Sequence, residues 1–167
     1  MKRLFLLLCA CAFSSKTASP QTTISGSVYD GSGGPLTLAG SPYLIPAYAT
    51  LTVPDSQTLT IEPGVVVRLK ESATVDIIGA LIAEGNSTNR IRFVSDTVTE
   101  RWYMFIFRAN STGSLKFCDF EHGGRAIFSQ GQQLLLQNPA NLVIDNCHIS
   151  DGEDEGVNGS MGVGAAG

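Results

Sequence analysis

Apolar residues in this chain come in short alternating runs. Tyr43-Leu44-Ile45, Leu51-Thr52-Val53, Leu59-Thr60-Ile61, Val67-Arg68-Leu69 and Val75-Asp76-Ile77 each set a middle residue between two large apolar ones. A two-residue period over three to five positions suits a strand that buries one face and shows the other to solvent. Gly, Pro, Asn, Asp or Ser interrupts the chain every few residues, which is turn chemistry rather than helix chemistry. No segment holds apolar residues at i, i+3, i+4 and i+7 over three turns, and 18 glycines and 7 prolines are scattered along the chain. The pattern predicts an all-β protein.

The runs also repeat. Val67-Arg68-Leu69, Ile91-Arg92-Phe93 and Leu115-Lys116-Phe117 share an apolar-basic-apolar form and start 24 residues apart, and one further step back lies Tyr43-Leu44-Ile45. Segments 49–53 and 73–77 match at 24, 59–64 and 81–85 at 22, and 115–120 and 144–149 at 29, the last interval lengthened by an insertion around residues 131–141. A unit of 22–29 residues with about three short strands cannot bury its apolar side chains alone. Successive units stacked about 4.8 Å apart, each strand in parallel over its equivalent, would join those side chains into continuous columns. Pro63 and Gly64 mark one corner of the coil. Between residues 115 and 120 the apolar parity shifts from odd to even, so a bend is expected between Phe117 and Asp119.

On the motifs LTIEPGVVVRL, GALIAEG and LKFCDFEHGG, the segment from about 43 to 149 resembles the right-handed parallel β-helix proteins of bacteria, the pectin lyase-like superfamily. That superfamily includes pectate lyases, polygalacturonases and many non-enzymatic surface proteins. The resemblance implies a right-handed parallel solenoid and leaves the activity open, because such motifs belong to the scaffold rather than to a site.

The organisation follows from the ends. Lys2 and Arg3 precede an apolar run from Leu4 to Phe13, a secretory signal layout with cleavage expected after Ser14. Plain secretion fits better than the alternative, lipoprotein processing at Cys11. The run is about half of what a membrane-spanning helix needs, and no transmembrane segment is expected. Residues 15–22 read as a flexible leader, 23–42 as an N-terminal cap or irregular first coil, 43–150 as solenoid coils, and 151–167 as an acidic, Gly-rich tail or the start of an incomplete coil. The solenoid is expected to be truncated, with C-terminal coils or a neighbouring domain missing. Without Lys2 and Arg3 the chain carries 9 basic against 15 acidic residues, a net charge of about −6, which disfavours nucleic acid and anionic lipid as partners. Cys118 and Cys147 are the cysteines outside the signal, too few for a disulfide-stapled miniprotein.

Several constellations bear on chemistry. If the apolar neighbours of Arg68, Arg92 and Lys116 point inward, these cations point out and form a ladder at roughly 5 Å spacing. An acidic polysaccharide or cell-surface glycan laid along the axis would offset their repulsion; a solvated face with neighbouring carboxylates such as Glu71 and Asp119 is the plainer reading. Alternation through 102–107 sends Trp102, Met104 and Ile106 to one face and Tyr103, Phe105 and Phe107 to the other. One set belongs inside; Trp102 and Tyr103 are candidates for stacking on sugar rings, with burial of both faces preferred. His122 and His148 belong to no ligand-spaced cluster and suit turn or surface positions. Cys118 and Cys147 fall on equivalent positions of adjacent coils, compatible with either a disulfide or a free-thiol ladder.

Asp119, Glu121, Asp145 and Asp151 lie on successive coils, where glycoside hydrolysis would need two carboxylates about 5–9.5 Å apart. The NTD, DD and GHG motifs of polygalacturonases and a clustered-Asp calcium signature are missing from the sequence. No cofactor or metal is expected, with Ca2+ entering only if the chain is a lyase. The sequence thus leads to an expectation of a non-catalytic segment of a larger bacterial secreted or cell-surface protein, structural or carbohydrate-binding in role. The alternative is a fragment of a polysaccharide lyase or glycoside hydrolase acting on acidic polysaccharides.

Overall fold

Short β-branched and aromatic runs separated by corner residues leave the chain one economical arrangement, in which each run pairs with its counterpart one coil away. The computed structural model describes residues 21–24, 35–124 and 133–152, and the backbone of 157–160. It is a parallel β-solenoid of about four turns, of the right-handed type. The expected signal, Cys11 and residues 15–20 of the expected leader lie outside the described residues, as do 25–34 and most of the tail; the leader's last residue, Thr22, is corrected to a strand position paired with Tyr43.

After a two-residue strand β1 (Thr22–Thr23), the first full coil holds β2 (Tyr43–Ile45), β3 (Thr50–Val53) and β4 (Thr58–Ile61). The second holds β5 (Val66–Leu69), β6 (Thr74–Ile77) and β7 (Ala80–Glu84), and the third β8 (Ile91–Ser95), β9 (Met104–Phe107) and β10 (Thr112–Lys116). The fourth holds β11 (Cys118–Glu121), β12 (Leu134–Gln137) and β13 (Asn141–Asp145), followed by β14 (His148–Ser150) and β15 (Val157–Ser160). Three parallel sheets result: β1-β2-β5-β8-β11-β14, β3-β6-β9-β12-β15, and β4-β7-β10-β13. N-terminal to the first coil, β1 pairs with β2, and Leu36 forms a parallel bridge to Ile61.

Register turns alternation into columns. In the first sheet Tyr43, Val67, Phe93, Phe120 and Ile149 lie over one another, at intervals of 24, 26, 27 and 29 residues. In the second sheet Leu51, Val75, Phe105 and Leu134 form one inward column, and Val53, Ile77, Phe107 and Leu136 another. Almost all of these side chains are inaccessible, and they merge into one core. At its middle Phe93 stacks on Phe120 with centroids 4.8 Å apart, and Phe105 meets both edge-on at 4.8 and 5.3 Å. Offset and edge-on rings of this kind add attraction beyond their buried area.

The growing intervals correct the 24-residue step expected between the three basic triplets. Four residues join β4 to β5, six join β7 to β8, and Phe117 alone joins β10 to β11. Val67 therefore pairs with Phe93 rather than Ile91, and Leu115 belongs to the third sheet, opposite Ala83 and Ile144. Apolar-basic-apolar triplets look alike on any face, so corner length and not the triplet decides the register. In sequence, the extra length of the fourth coil falls between β11 and β12; the expected insertion at 131–141 is corrected, because it contains β12 itself, whose Leu134 and Leu136 cover Phe105 and Phe107.

Corners repeat as well. Phe117 and Asn146 (φ 48° and 52°), and His122 and Asp151 (59° and 55°), take the left-handed conformation at stacked positions, Asn110 and Asn138 (65° and 53°) take it in the corners after β9 and β12, and Gly64 (φ 82°) takes it in an earlier corner. Asn, Asp and Gly are suited to this region, whereas Phe117 adopts it against its own preference. The expected bend thus falls on Phe117, and the strand resumes at Cys118.

Candidate functional site

The basic ladder does not form. Arg68 on β5 lies opposite Val94, Arg92 on β8 lies between Val66 and Asp119, and Lys116 on β10 is in another sheet, between Glu84 and Asp145. All three side chains do point outward, and each meets an acid across coils. Arg68 and Lys70 share Asp96 at 3.6 Å each, Arg92 reaches Glu121 at 3.2 Å, and Lys116 reaches Glu84 at 2.9 Å. Glu84 also accepts a 2.6 Å hydrogen bond from Ser114 Oγ. That hydroxyl, followed by Lys116, holds the Glu84 carboxyl below its ordinary range, and Glu84 in turn raises the Lys116 ammonium.

Two arginines that no sequence pattern singled out bridge three coils each. Arg108 follows β9 and donates Nε and Nη2 to the two oxygens of Asp76, at 2.7 and 2.9 Å, while Nη1 reaches Gln137 Oε1 at 3.1 Å. Hydrogen bonding to Asp76 raises its guanidinium above the usual value. Arg90 donates Nε to Asp119 Oδ1 at 2.8 Å and Nη2 to the carbonyls of Cys118 and Asn146 at 3.2 and 2.8 Å, with its guanidinium 5.8 Å from the Phe117 ring centroid. The planar fork of arginine suits such multiple contacts. No alternation signal marks either residue, because its partners lie 27 or more residues away.

The aromatic run is spent on packing. Trp102 has no exposed surface, lies edge-on to Phe105 with centroids 5.6 Å apart, and donates Nε1 to the Glu121 carbonyl at 2.9 Å. A side chain on Gly123 would collide with the indole, which explains the glycine there. Phe105 and Phe107 face the core, Met104 and Ile106 on the opposite face are also buried, and Tyr103 is half-buried. A sugar-stacking platform at Trp102 is therefore corrected to a core position. Among the described residues the exposed large aromatic is Tyr48, 71% accessible at a left-handed corner, and nothing in its local sequence distinguished it.

The remaining candidates are dispersed. Asp119 is taken up by Arg90 and has the exposed His148 Nδ1 at 3.6 Å; Glu121 faces Arg92; Asp145 accepts from Asn146 Nδ2 at 2.9 Å. Asp151 occupies a corner, where its carbonyl accepts from Arg101. His122 also sits in a corner, its carbonyl accepting from Ser95 Oγ at 3.0 Å. Among the described residues no group of three or more His, Cys, Asp or Glu side chains is placed to hold a metal ion, and no helix is long and apolar enough to cross a membrane. Among the described residues, the buried oxygens Glu100 Oε2 and Gln133 Oε1 lack hydrogen-bond partners.

Cys118 and Cys147 are free thiols at equivalent positions of adjacent coils. Each influences the other's ionisation. Interaction with Cys147, and then burial, pushes the Cys118 thiol up, while hydrogen bonding from Cys118 holds Cys147 below the ordinary cysteine value. Comparison with protein-family models, curated proteins and solved structures found no match.

Proposed function

We propose that this chain is a non-catalytic structural segment of an extracellular protein, a stiff parallel scaffold rather than a polysaccharide-binding face. One observation carries the reading. Of the seven lysines and arginines among the described residues, six meet a carboxylate on another coil or across a corner, and Arg101 bonds a carbonyl. A groove built to hold a polyanion needs positive charge left for its ligand. Here the charge is already neutralised along the axis. Exposed pairs of this kind add little stability each; their effect is to favour one stacking register over its neighbours. The signal layout of residues 1–14 supports export.

The test is retention of the purified protein on immobilised polygalacturonate and alginate at low ionic strength, with calcium-dependent absorbance of unsaturated products followed in parallel. The expected result is elution with the unretained fraction, unchanged when Arg68, Arg92 and Lys116 are all replaced by Gln, and no growth of absorbance. Retention that the triple substitution abolishes would establish carbohydrate binding instead. Product growth would establish the lyase alternative.

A further inference from the structure

Among the described residues, the two thiols are the nucleophilic pair that a scaffold leaves without a role. Cys118 opens β11 and Cys147 immediately precedes β14, and the pairing of Asp119 with His148 sets the two cysteines opposite each other on neighbouring parallel strands. Equivalent α-carbons on such strands are about 4.8 Å apart, within the roughly 4.4–6.8 Å that a disulfide spans. Cys118 has no exposed surface, and Cys147 is half-buried. Cys118 Sγ donates to the carbonyls of Ala83 and Lys116 at 3.3 and 3.4 Å, and Cys147 Sγ to those of Leu115 and Asp145 at 3.4 Å each. Arg90 ties the Cys118 carbonyl to that of Asn146, the residue before Cys147, so a guanidinium joins the two backbone segments that carry the thiols.

We propose that Cys147 and Cys118 are an attacking and a resolving thiol: Cys147 reacts with small-molecule disulfides, and Cys118 then closes a covalent link between successive coils. Accessibility and ionisation run in the same direction. The thiolate is the reacting form; hydrogen bonding from the neighbouring Cys118 thiol favours it at Cys147, while hydrogen bonding with Cys147 and then burial disfavour it at Cys118, the Arg90 charge favouring it at both. In the first step the Cys147 thiolate attacks one sulfur of a disulfide RSSR, forming Cys147–S–S–R and releasing RS−, which takes a proton from solvent. Conversion of Cys147 removes the main cause that keeps Cys118 protonated. Cys118 then gives its proton to solvent, attacks the Cys147 sulfur and expels the second RS−. Two protein thiols have lost two electrons and two protons, and one disulfide has become two thiols.

The experiment is incubation of the full-length protein with oxidised glutathione, quenching at intervals, and mass mapping of tryptic peptides. Cleavage after Lys116 and Arg125 separates Cys118 from Cys147, and both from Cys9 and Cys11. Wild-type protein is expected to show a transient glutathione adduct on Cys147 that converts to a link between the two peptides. Cys118→Ser is expected to keep the adduct, and in Cys147→Ser the remaining Cys118 should react at least about tenfold more slowly than Cys147 does in wild type. The wild-type time course decides even if a variant misfolds. A stable adduct on wild-type Cys147, an adduct appearing first on Cys118, or no reaction at either cysteine would overturn the proposal.

Discussion

Glu84 is held by two partners on the next coil, and they act differently. Ser114 Oγ donates at 2.6 Å and is the largest single cause of the lowered carboxyl pKa; Lys116 Nζ at 2.9 Å adds a hydrogen bond and then its charge. A short hydrogen bond to the charged form survives exposure better than a solvent-screened attraction. Because Glu84 is depressed, its contribution to stability is present above the ordinary carboxylate range and is lost as pH falls through its folded value. Lys116 is raised, so its contribution is present below the ordinary lysine range and is lost as pH rises through its own folded value. The contact is intact throughout the interval between these limits. Titration of Glu84 by NMR is expected to show an upward move of its midpoint in Ser114→Ala larger than the one added salt produces in the wild type. A move in Ser114→Ala no larger than the salt effect would mean that charge, not the hydroxyl, sets the ionisation.

At the scale of elements, β9 carries the packing of the middle coils. Phe105 touches Trp102, Phe93 and Phe120, and Phe107 lies beneath Leu136. Phe105→Ala would leave a hole that the stacked coils above and below cannot close, at a cost of about 3–5 kcal/mol. Tyr103→Ala, half-buried on the same run, is expected to cost well under half as much. Urea denaturation of both variants checks the ranking, and equal costs would contradict the inward assignment of Phe105. This inward set was one of the two that alternation permitted, and the strand pairings 50–53 over 74–77 and 58–61 over 80–83 follow the repeat found in the sequence. The ladder of cations was not legible. Arg68 and Arg92 do face outward from neighbouring strands, but two additional corner residues at 85–90 shift them out of line, and a left-handed Phe117 ends Lys116's strand in another sheet. The ion-pair partners were equally hidden, because local periodicity records which way a side chain points and not what meets it a coil away.

Across the whole molecule, each coil touches its immediate neighbours and little else, so stability is close to a sum of coil-to-coil interfaces. The interfaces are unequal. Between β5 and β11 the inward columns hold large residues with almost no exposure, and the aromatic group lies there; along β13 the inward-facing Ile144 is 36% exposed and its neighbour Val143 43%. The arginines reinforce the same middle region, Arg108 tying Asp76 to Gln137 and Arg90 tying the third coil to β11 and the corner at Asn146. Fluctuations that open backbone hydrogen bonds should therefore begin at β13 and β14 and reach β7 and β8 last, since opening the middle must break two well-packed interfaces where opening β13 breaks one. Native-state hydrogen exchange followed residue by residue is expected to show protection falling from β7 and β8 toward β13 and β14. In Arg108→Met the loss should concentrate on β6, β9 and β12, the strands its side chain bridges. Uniform protection along all the coils, unaffected in its distribution by that substitution, would mean that the solenoid opens as one cooperative body and that its coils do not behave as separable layers.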